Sequence, residues 1–232
     1  MASAACSNWL ADTARTSAIG RHMPVLNIPN PIDTEKFRPL DKAAIKREYD
    51  LSPEKKIILF GAANINEERK GLNYLVAALQ LLKKQSKQDI EILIIGKNKG
   101  FDESLIPFKV HMLGKISDEA EMVRVYNLAD IFVLPSLEDN LPNMVMEALA
   151  CGTPVTAFDT GGLSDLITHQ NNGYLAKYKS AEDLCKGMNW ILENSEEYHL
   201  PENSREKVLS CFSNQVVAQQ YFKLYETLLN GK

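Results

Sequence analysis

Two acidic side chains, Asp139 and Glu147, stand with seven residues between them in a segment that follows the apolar run IFVL. Pro142, between them, is typical of the first turn of a helix. The amides of Asn143 and Met144 would then be free at a helix N-terminus, which binds phosphate by hydrogen bonding and dipole. Glu147 would lean back toward that end and reach a ribose. Spacing alone also allows Asp139 as a helix cap and Glu147 as a surface charge.

Lys70 is a second candidate, at the end of a segment of small and polar residues from Gly61 to Gly71 that follows the apolar run IILF. Small residues let a ligand approach the backbone, and a lysine at a helix start can offer a cation to a diphosphate. Neither GxGxxG nor GxxxxGK[ST] is present. The segment alone therefore also fits an ordinary loop with a solvent-facing lysine.

Short apolar runs alternate with amphipathic stretches along most of the chain. The predicted strands are Val25–Ile28, Lys56–Phe60, Ile90–Ile95, Lys109–Leu113, Ile131–Leu134, Pro154–Ala157 and, more weakly, Gly173–Ala176. The predicted helices are Asp41–Tyr49, Gly71–Lys84, Asp118–Leu128, Pro142–Cys151, Ser180–Glu193 and roughly Glu206–Leu229. This alternation predicts an α/β fold with a Rossmann-like, doubly wound parallel sheet. Ligands of such sheets bind beyond the carboxyl ends of the strands, where both candidate segments begin.

The last predicted helix carries an apolar stripe that needs a cover. Its residues are Val216, Val217, Tyr221, Leu224, Tyr225 and Leu228. The sequence leaves two possibilities open: the stripe packs on the same sheet, or it meets a separate partner.

Composition excludes several classes of protein. The formal net charge of −4 offers no basic surface for nucleic acid. The four cysteines and four histidines are scattered, which argues against a disulfide framework and a zinc site. No apolar run approaches the roughly 20 residues that cross a bilayer, and the polar N-terminus does not look like a signal peptide. We therefore expect a cytoplasmic protein.

Taken together, four segments resemble one known family. The segment PSLEDNLPNMVMEALACGTPVTAFDTGGLSDLI resembles the donor-domain signature of the family 4 (group 1) retaining glycosyltransferases, which have the GT-B fold. IPNPIDTEKFRP resembles the connector between their two domains, ERKGLNYLVAAL their lysine-glycine helix, and HMLGKISDEAEMVRVYNLADIFVLPS their base-binding stretch. The resemblance covers nearly the whole chain.

The resemblance implies a role for each candidate residue. Asp139 would contact the hexose hydroxyls and Glu147 the ribose of the donor, while Lys70 would neutralise the leaving phosphate. The amides of Asn143 and Met144 would hold the diphosphate. Lys115 and Ile116 correspond to the residues that cradle the base, mainly through backbone groups. The implied activity is hexosyl transfer in polysaccharide biosynthesis from a UDP-, GDP- or ADP-sugar, without a metal or other cofactor.

The same resemblance implies a domain organisation. Residues 1–40 correspond to the end of an N-terminal domain and the connector, 41–205 to the nucleotide-sugar-binding domain, and 206–232 to a C-terminal helix. The acceptor, a glycan or a lipid-linked sugar, would bind a further N-terminal domain. We expect little or no transferase activity without that domain, and a full-length enzyme at the inner face of the membrane.

Two other functions remain open. One is a non-catalytic module that binds nucleotide sugars, and the other is a GT-B epimerase or phosphorylase. A Rossmann dehydrogenase is disfavoured because the glycine fingerprint is absent.

Overall fold

The computed structural model describes residues 2–230, and a parallel sheet of six strands forms its centre. The strands of the described chain are β1 (Ser3–Ala5), β2 (Val25–Asn27), β3 (Lys56–Asn64), β4 (Ile90–Lys97), β5 (Lys109–Gly114), β6 (Ile131–Leu134), β7 (Val155–Phe158) and β8 (Gly173–Ala176). The central sheet has the order β5-β4-β3-β6-β7-β8 with every pair parallel. The predicted doubly wound sheet is confirmed.

Helices cover both faces of this sheet. Their bounds are α1 (Asn8–Thr16), α2 (Lys42–Glu48), α3 (Leu72–Gln85), α4 (Glu119–Leu128), α5 (Asn143–Ala150), α6 (Leu163–Leu166), α7 (Ala181–Asn194), α8 (Leu200–Cys211) and α9 (Asn214–Asn230). Helices α2, α4, α5 and α8 contribute to the core on one face, and α3 and α7 to the core on the other. Strands covered on both faces need apolar side chains on both, which explains their nearly unbroken apolar runs. Within residues 2–230, no helix combines the length and apolar character that a bilayer crossing requires.

The strand order reverses between β3 and β6, which are neighbours in the sheet. The chain leaves β3 for α3 on one face and leaves β6 for α5 on the other. The two loops therefore diverge around a crevice at the carboxyl edge, the usual ligand site of open α/β sheets.

Strand β3 is longer than the sequence analysis predicts. The prediction ends the strand at Phe60 and begins a loop at Gly61, whereas β3 continues to Asn64. The extension pairs with β4 through an irregularity between Gly61 and Asn64. The small residues that suggested a loop are tolerated here because a bulge needs little side-chain volume.

Residues 2–27 form a small unit outside the main sheet, and the sequence analysis did not predict its elements β1 and α1. Strands β1 and β2 make a two-stranded parallel sheet, and α1 packs on it through the buried Ala11. The strand predicted at Val25–Ile28 is therefore present, but it lies outside the main sheet. Pairs of short strands have little burial of their own, so their sequence signal is weak.

The single helix predicted at Glu206–Leu229 is wrong. The structure contains α8 and α9, with a break at Phe212 and Ser213. The backbone amide of Ile32 donates to the Phe212 carbonyl at 2.9 Å, and Ile32 bridges to Ser213. The connector thus engages the backbone at the break.

Helix α9 packs on α8 through its first turns, where Val217 is buried. Beyond that point two residues of the stripe, Tyr225 and Leu228, are exposed. The apolar stripe is therefore not covered by the sheet along its whole length. The predicted C-terminal segment, 206–232, ends with two residues, 231 and 232, that lie outside the described range; the domain boundaries at 40 and 205 stay predictions.

A close backbone contact holds the two loops of the crevice together. Gly71 has φ 70°, and a Cβ at this position would stand 1.9 Å from the Pro135 carbonyl oxygen. Beside it, the Leu137 amide donates to the Arg69 carbonyl at 2.8 Å. Only glycine combines this positive φ with so close an approach.

Replacing Gly71 by alanine should therefore destabilise the protein more than replacing Gly114, which also has positive φ but nothing within 4 Å of the place where a methyl group would stand. Gly114→Ala costs only the left-handed strain, about 1–2 kcal/mol. Gly71→Ala adds overpacking against Pro135, about 1–3 kcal/mol more. Urea unfolding of both variants checks this difference, and equal losses would mean that the Gly71–Pro135 contact relaxes freely.

Candidate active site at the switch point

The two charged residues of the crevice are in direct contact. The Lys70 Nζ donates to Asp139 Oδ2 at 2.9 Å, although the two residues lie 69 positions apart in sequence. Their side chains are only 15% and 17% exposed. Lys70 ends the 3-10 turn Glu68–Lys70 that leads into α3, and Asp139 lies in the loop after β6. The chain thus brings one ammonium group and one carboxylate together at the switch point.

The loop that carries Asp139 is held from the side of β7. A Cβ on Gly161 would stand 1.8 Å from the Asp139 carbonyl oxygen, and one on Gly162 would stand 2.1 Å from that of Asn140. Gly161 also has positive φ, at 57°. These contacts press the turn after β7 against the acidic loop and fix the backbone of Asp139.

The N-terminal unit holds the same loop as well. Ser7 Oγ donates to Asn140 Oδ1 at 2.5 Å, and Asn140 Nδ2 donates to Cys6 Sγ at 3.0 Å. The Asn8 amide donates to Asp165 Oδ2 at 2.6 Å. The side chain of Asn140 is therefore occupied in fastening β1 and α1 to the loop.

A cavity of about 590 Å³ opens beside Asp139. It is lined by Trp9, Arg69, Glu138, Asp139, Asn140, Thr160 and Gly161. Its walls thus come from the N-terminal unit and from the loops after β3, β6 and β7. This volume lies in the range of small-molecule sites.

The predicted phosphate-binding residues lie at the start of α5. Pro142 occupies the N-cap position with extended backbone and no side-chain cap, and the helix begins at Asn143. Among the described residues, no hydrogen-bond partner is found for the Asn143 and Met144 amides. The Met144 side chain packs over Gly61 in β3, where a Cβ would meet its Cε at 2.4 Å. The start of α5 therefore borders the same crevice as β3.

Glu147 lies in α5 and is not in contact with the Lys70–Asp139 pair. Its Oε2 accepts a hydrogen bond from the Tyr126 hydroxyl at 2.7 Å. Burial raises the pKa of Glu147 above its ordinary value, and the Tyr126 hydrogen bond offsets part of that rise. Burial, with Glu147 nearby, also raises the pKa of Tyr126. The carboxylate of Glu147 is therefore partly desolvated at this position.

Lys115 and Ile116 follow β5, away from Asp139. Lys115 is exposed and lines another cavity, of about 480 Å³, together with Gly96 and Lys97. Ile116 is half-buried against the core. The structure does not bring these two predicted base-binding residues into the cavity of Asp139.

Sequence reasoning assigned no role to four residues of this region. Trp9 and Thr160 line the cavity, Asn140 fastens the acidic loop, and Tyr126 binds Glu147. Thr160 had a signal, because it precedes the two glycines after β7. Trp9 had none, because its place on the cavity wall depends on the contacts of Ser7 and Asn8 with residues far away in the sequence.

Within residues 2–230, no three His, Cys, Asp or Glu side chains group as a metal site would require. Whether sugar transfer needs a metal is a property of the reaction, so the expectation of transfer without a metal stays a prediction.

Fold and site together define an α/β domain of the doubly wound class, with a cation and an acid at its switch point. The sequence profile of the family described as glycosyl transferases group 1 matches residues 41–207, and the chain belongs to this family.

Individual relatives agree with this membership. An N,N'-diacetylbacillosaminyl-diphospho-undecaprenol alpha-1,3-N-acetylgalactosaminyltransferase of Campylobacter jejuni is 29% identical over 208 residues, which is 86% of this chain and 53% of that protein. The chain spans about half the length of the curated relatives it matches.

Solved structures share the fold. Sucrose-phosphate synthase of Thermosynechococcus elongatus matches with TM-score 0.82 and 24% identity, over 100% of this chain and 59% of its own. Anabaena HepE, solved in complex with UDP and glucose, matches with TM-score 0.78 and 18% identity, over 97% and 62%. The predicted fold, one Rossmann-like half of a GT-B architecture, is confirmed.

The raised pKa of Glu147 predicts a pH-dependent stability difference between the wild type and Glu147→Gln. The folded state binds the proton more tightly than the unfolded state, so this residue's contribution to stability is lost as pH rises through the folded pKa. Glutamine still accepts the Tyr126 hydrogen bond but has no charge to desolvate. The Tm of Glu147→Gln relative to wild type should therefore increase from about pH 4 to about pH 8, where each kcal/mol shifts Tm by about 2–4 °C.

The matched control is Glu138→Gln, which removes an exposed carboxylate from the loop before α5. Its Tm difference from wild type should stay flat over the same pH range. A flat profile for Glu147→Gln as well would contradict the desolvation of Glu147.

Proposed function

We propose that this chain binds a nucleoside diphosphate sugar in the switch-point crevice and serves as the donor-binding half of a retaining hexosyltransferase. The observation that carries the proposal is the Lys70–Asp139 ion pair at the reversal of strand order. One group of this pair suits a diphosphate, and the other suits sugar hydroxyls. Family membership supports the reaction class.

The charge of Lys70 fits the reaction. Breaking a bond between a sugar and a diphosphate leaves negative charge on the phosphate oxygens, and a preorganised cation stabilises that charge. Asp139 holds the Lys70 ammonium group at the switch point, so a hydrogen bond within the chain orients the lysine. We propose that Lys70 turns from Asp139 toward the diphosphate, without a metal, and that the Asn143 and Met144 amides bind the same phosphates.

The remaining roles are those that the family resemblance implies. Asp139, released from full pairing, would accept hydrogen bonds from hexose hydroxyls, since an ionised carboxylate only accepts. Glu147 would do the same for the ribose, and the backbone of Lys115 and Ile116 would contact the base. The raised pKa of Glu147 supports its role, because perturbed carboxylates cluster at functional sites.

The relatives suggest the acceptor class. The Campylobacter jejuni relative is named for transfer to a diphospho-undecaprenol-linked sugar, and HepE was solved with UDP and glucose. We propose a glycan or lipid-linked acceptor in polysaccharide biosynthesis, bound by a further domain in the whole protein. A cytoplasmic enzyme at the inner face of the membrane fits such an acceptor. Closure of that domain would exclude water, so this half alone should bind the donor and transfer little.

Isothermal titration calorimetry with UDP, GDP and ADP, and with their glucose or mannose conjugates, tests the proposal. We expect one nucleotide to bind, and Lys70→Ala and Glu147→Ala each to weaken it roughly 10- to 100-fold, the usual worth of a hydrogen bond to a charged group. Lys84→Ala, which removes an exposed lysine on α3, is the control and should bind as the wild type does.

Unchanged affinity in both Lys70→Ala and Glu147→Ala would refute the site. Intact donor binding without sugar transfer by the whole protein would favour a binding module, and an epimerised nucleotide sugar would identify an epimerase.

A further inference from the structure

Trp9 forms an apolar wall of the cavity that contains Asp139. Its side chain is 49% exposed, and it lines the same 590 Å³ space as Asp139 and Thr160. A single exposed aromatic residue needs no explanation on an open surface. Here, however, the indole stands on a concave wall beside carboxylate, amide and hydroxyl groups.

The position of Trp9 is fixed relative to the acidic loop. Ser7, two residues before it, hydrogen-bonds to Asn140. Asn8 donates two hydrogen bonds to Asp165, one from its backbone amide at 2.6 Å and one from its side chain at 3.1 Å. Ser7 also caps α1 by accepting from the Leu10 amide. The start of α1 is therefore fastened to the walls of the cavity at several points, and the backbone that carries the indole is held in place.

The walls of this cavity differ in chemistry. Trp9 offers a flat apolar surface, whereas Glu138, Asp139 and Thr160 offer hydrogen-bonding groups. A pyranose ring has the complementary shape, since its C–H groups form apolar faces and its hydroxyls project around the rim. Aromatic rings bury such faces at low cost in conformational entropy.

We propose that Trp9 stacks against a pyranose ring whose hydroxyls bind Asp139. The proposal rests on the proposed function and adds a specificity-determining residue from the N-terminal unit. Trp9 contacts the sugar and not the nucleotide, so it should discriminate a nucleotide sugar from the bare nucleotide.

The exposed aromatic residues of α9 provide the contrast. Phe222 and Tyr225 are more exposed than Trp9, at 62% and 57%, but they line none of the cavities described above. Exposure therefore does not distinguish Trp9; its place on the wall beside Asp139 does. Tyr225→Ala is the matched control variant.

Calorimetry on wild type, Trp9→Ala, Trp9→Phe and Tyr225→Ala tests the inference with three probe pairs: UDP and UDP-glucose, GDP and GDP-mannose, and ADP and ADP-glucose. For the pair that binds, Trp9→Ala should weaken the nucleotide sugar about tenfold and leave the nucleotide unchanged. Trp9→Phe keeps an aromatic face and should recover part of the loss. Tyr225→Ala should match the wild type, and thermal melts check that each variant is folded.

Fluorescence gives an independent measurement, because the chain has only two tryptophans. In Trp190→Phe, Trp9 is the sole indole. Its emission should change with the nucleotide sugar and not with the nucleotide. A change with glucose plus UDP, but not with the nucleotide sugar, would identify a separate sugar as the stacked ring and would still support stacking on Trp9.

Two results separate the inference from the function on which it rests. The inference alone is overturned by two findings together. The nucleotide sugar would bind Trp9→Ala as tightly as wild type, and the emission of Trp9 would change with neither source of sugar. No binding of any nucleotide to the wild type overturns the proposed function, and the inference with it.

Discussion

The site depends on the contact between the two loops that leave β3 and β6. These loops diverge to opposite faces of the sheet, so nothing in the sheet itself keeps their ends together. The Gly71 backbone against the Pro135 carbonyl, and the Leu137–Arg69 hydrogen bond, supply that link. The Lys70–Asp139 ion pair lies immediately beyond it. The pair is largely buried, so the cost of desolvating both charges offsets much of their attraction; the backbone contact therefore determines the geometry, and the ion pair follows.

Asp139 and Glu147 lie in different electrostatic environments. Asp139 has a cation within hydrogen-bond distance, and its charge is compensated before any ligand binds. Glu147 has a hydroxyl partner only, and burial raises its pKa. A ligand hydroxyl near Glu147 would supply a further donor and reduce that penalty, whereas a ligand near Asp139 must compete with Lys70. A bound donor would thus reduce the desolvation penalty of Glu147 and change the hydrogen bonding of Asp139.

Sequence predicted the main sheet well because its strands are buried on both faces and therefore leave unbroken apolar runs. It located Lys70 and Asp139 because both follow such strands. It could not predict that they touch, since this depends on the strand order. The break between α8 and α9 was hidden for a similar reason, because it coincides with a contact to Ile32, far away in sequence. The longer β3 was missed because a bulge and a loop use the same small residues.

Long-range contacts, rather than local sequence patterns, determine the position of the N-terminal unit. Strand β1 is mostly exposed and α1 buries only Ala11, so neither element contributes to the core of the main sheet. What orders them at the site is the Ser7–Asn140 hydrogen bond, across 133 residues, and the pairing of Asn8 with Asp165. These groups are polar and common, and they carry no pattern that can be detected in a single sequence. The same fastening brings Trp9 to the wall beside the acidic loop. The cavity is therefore completed by an element that lies outside the main sheet and that the sequence analysis did not predict.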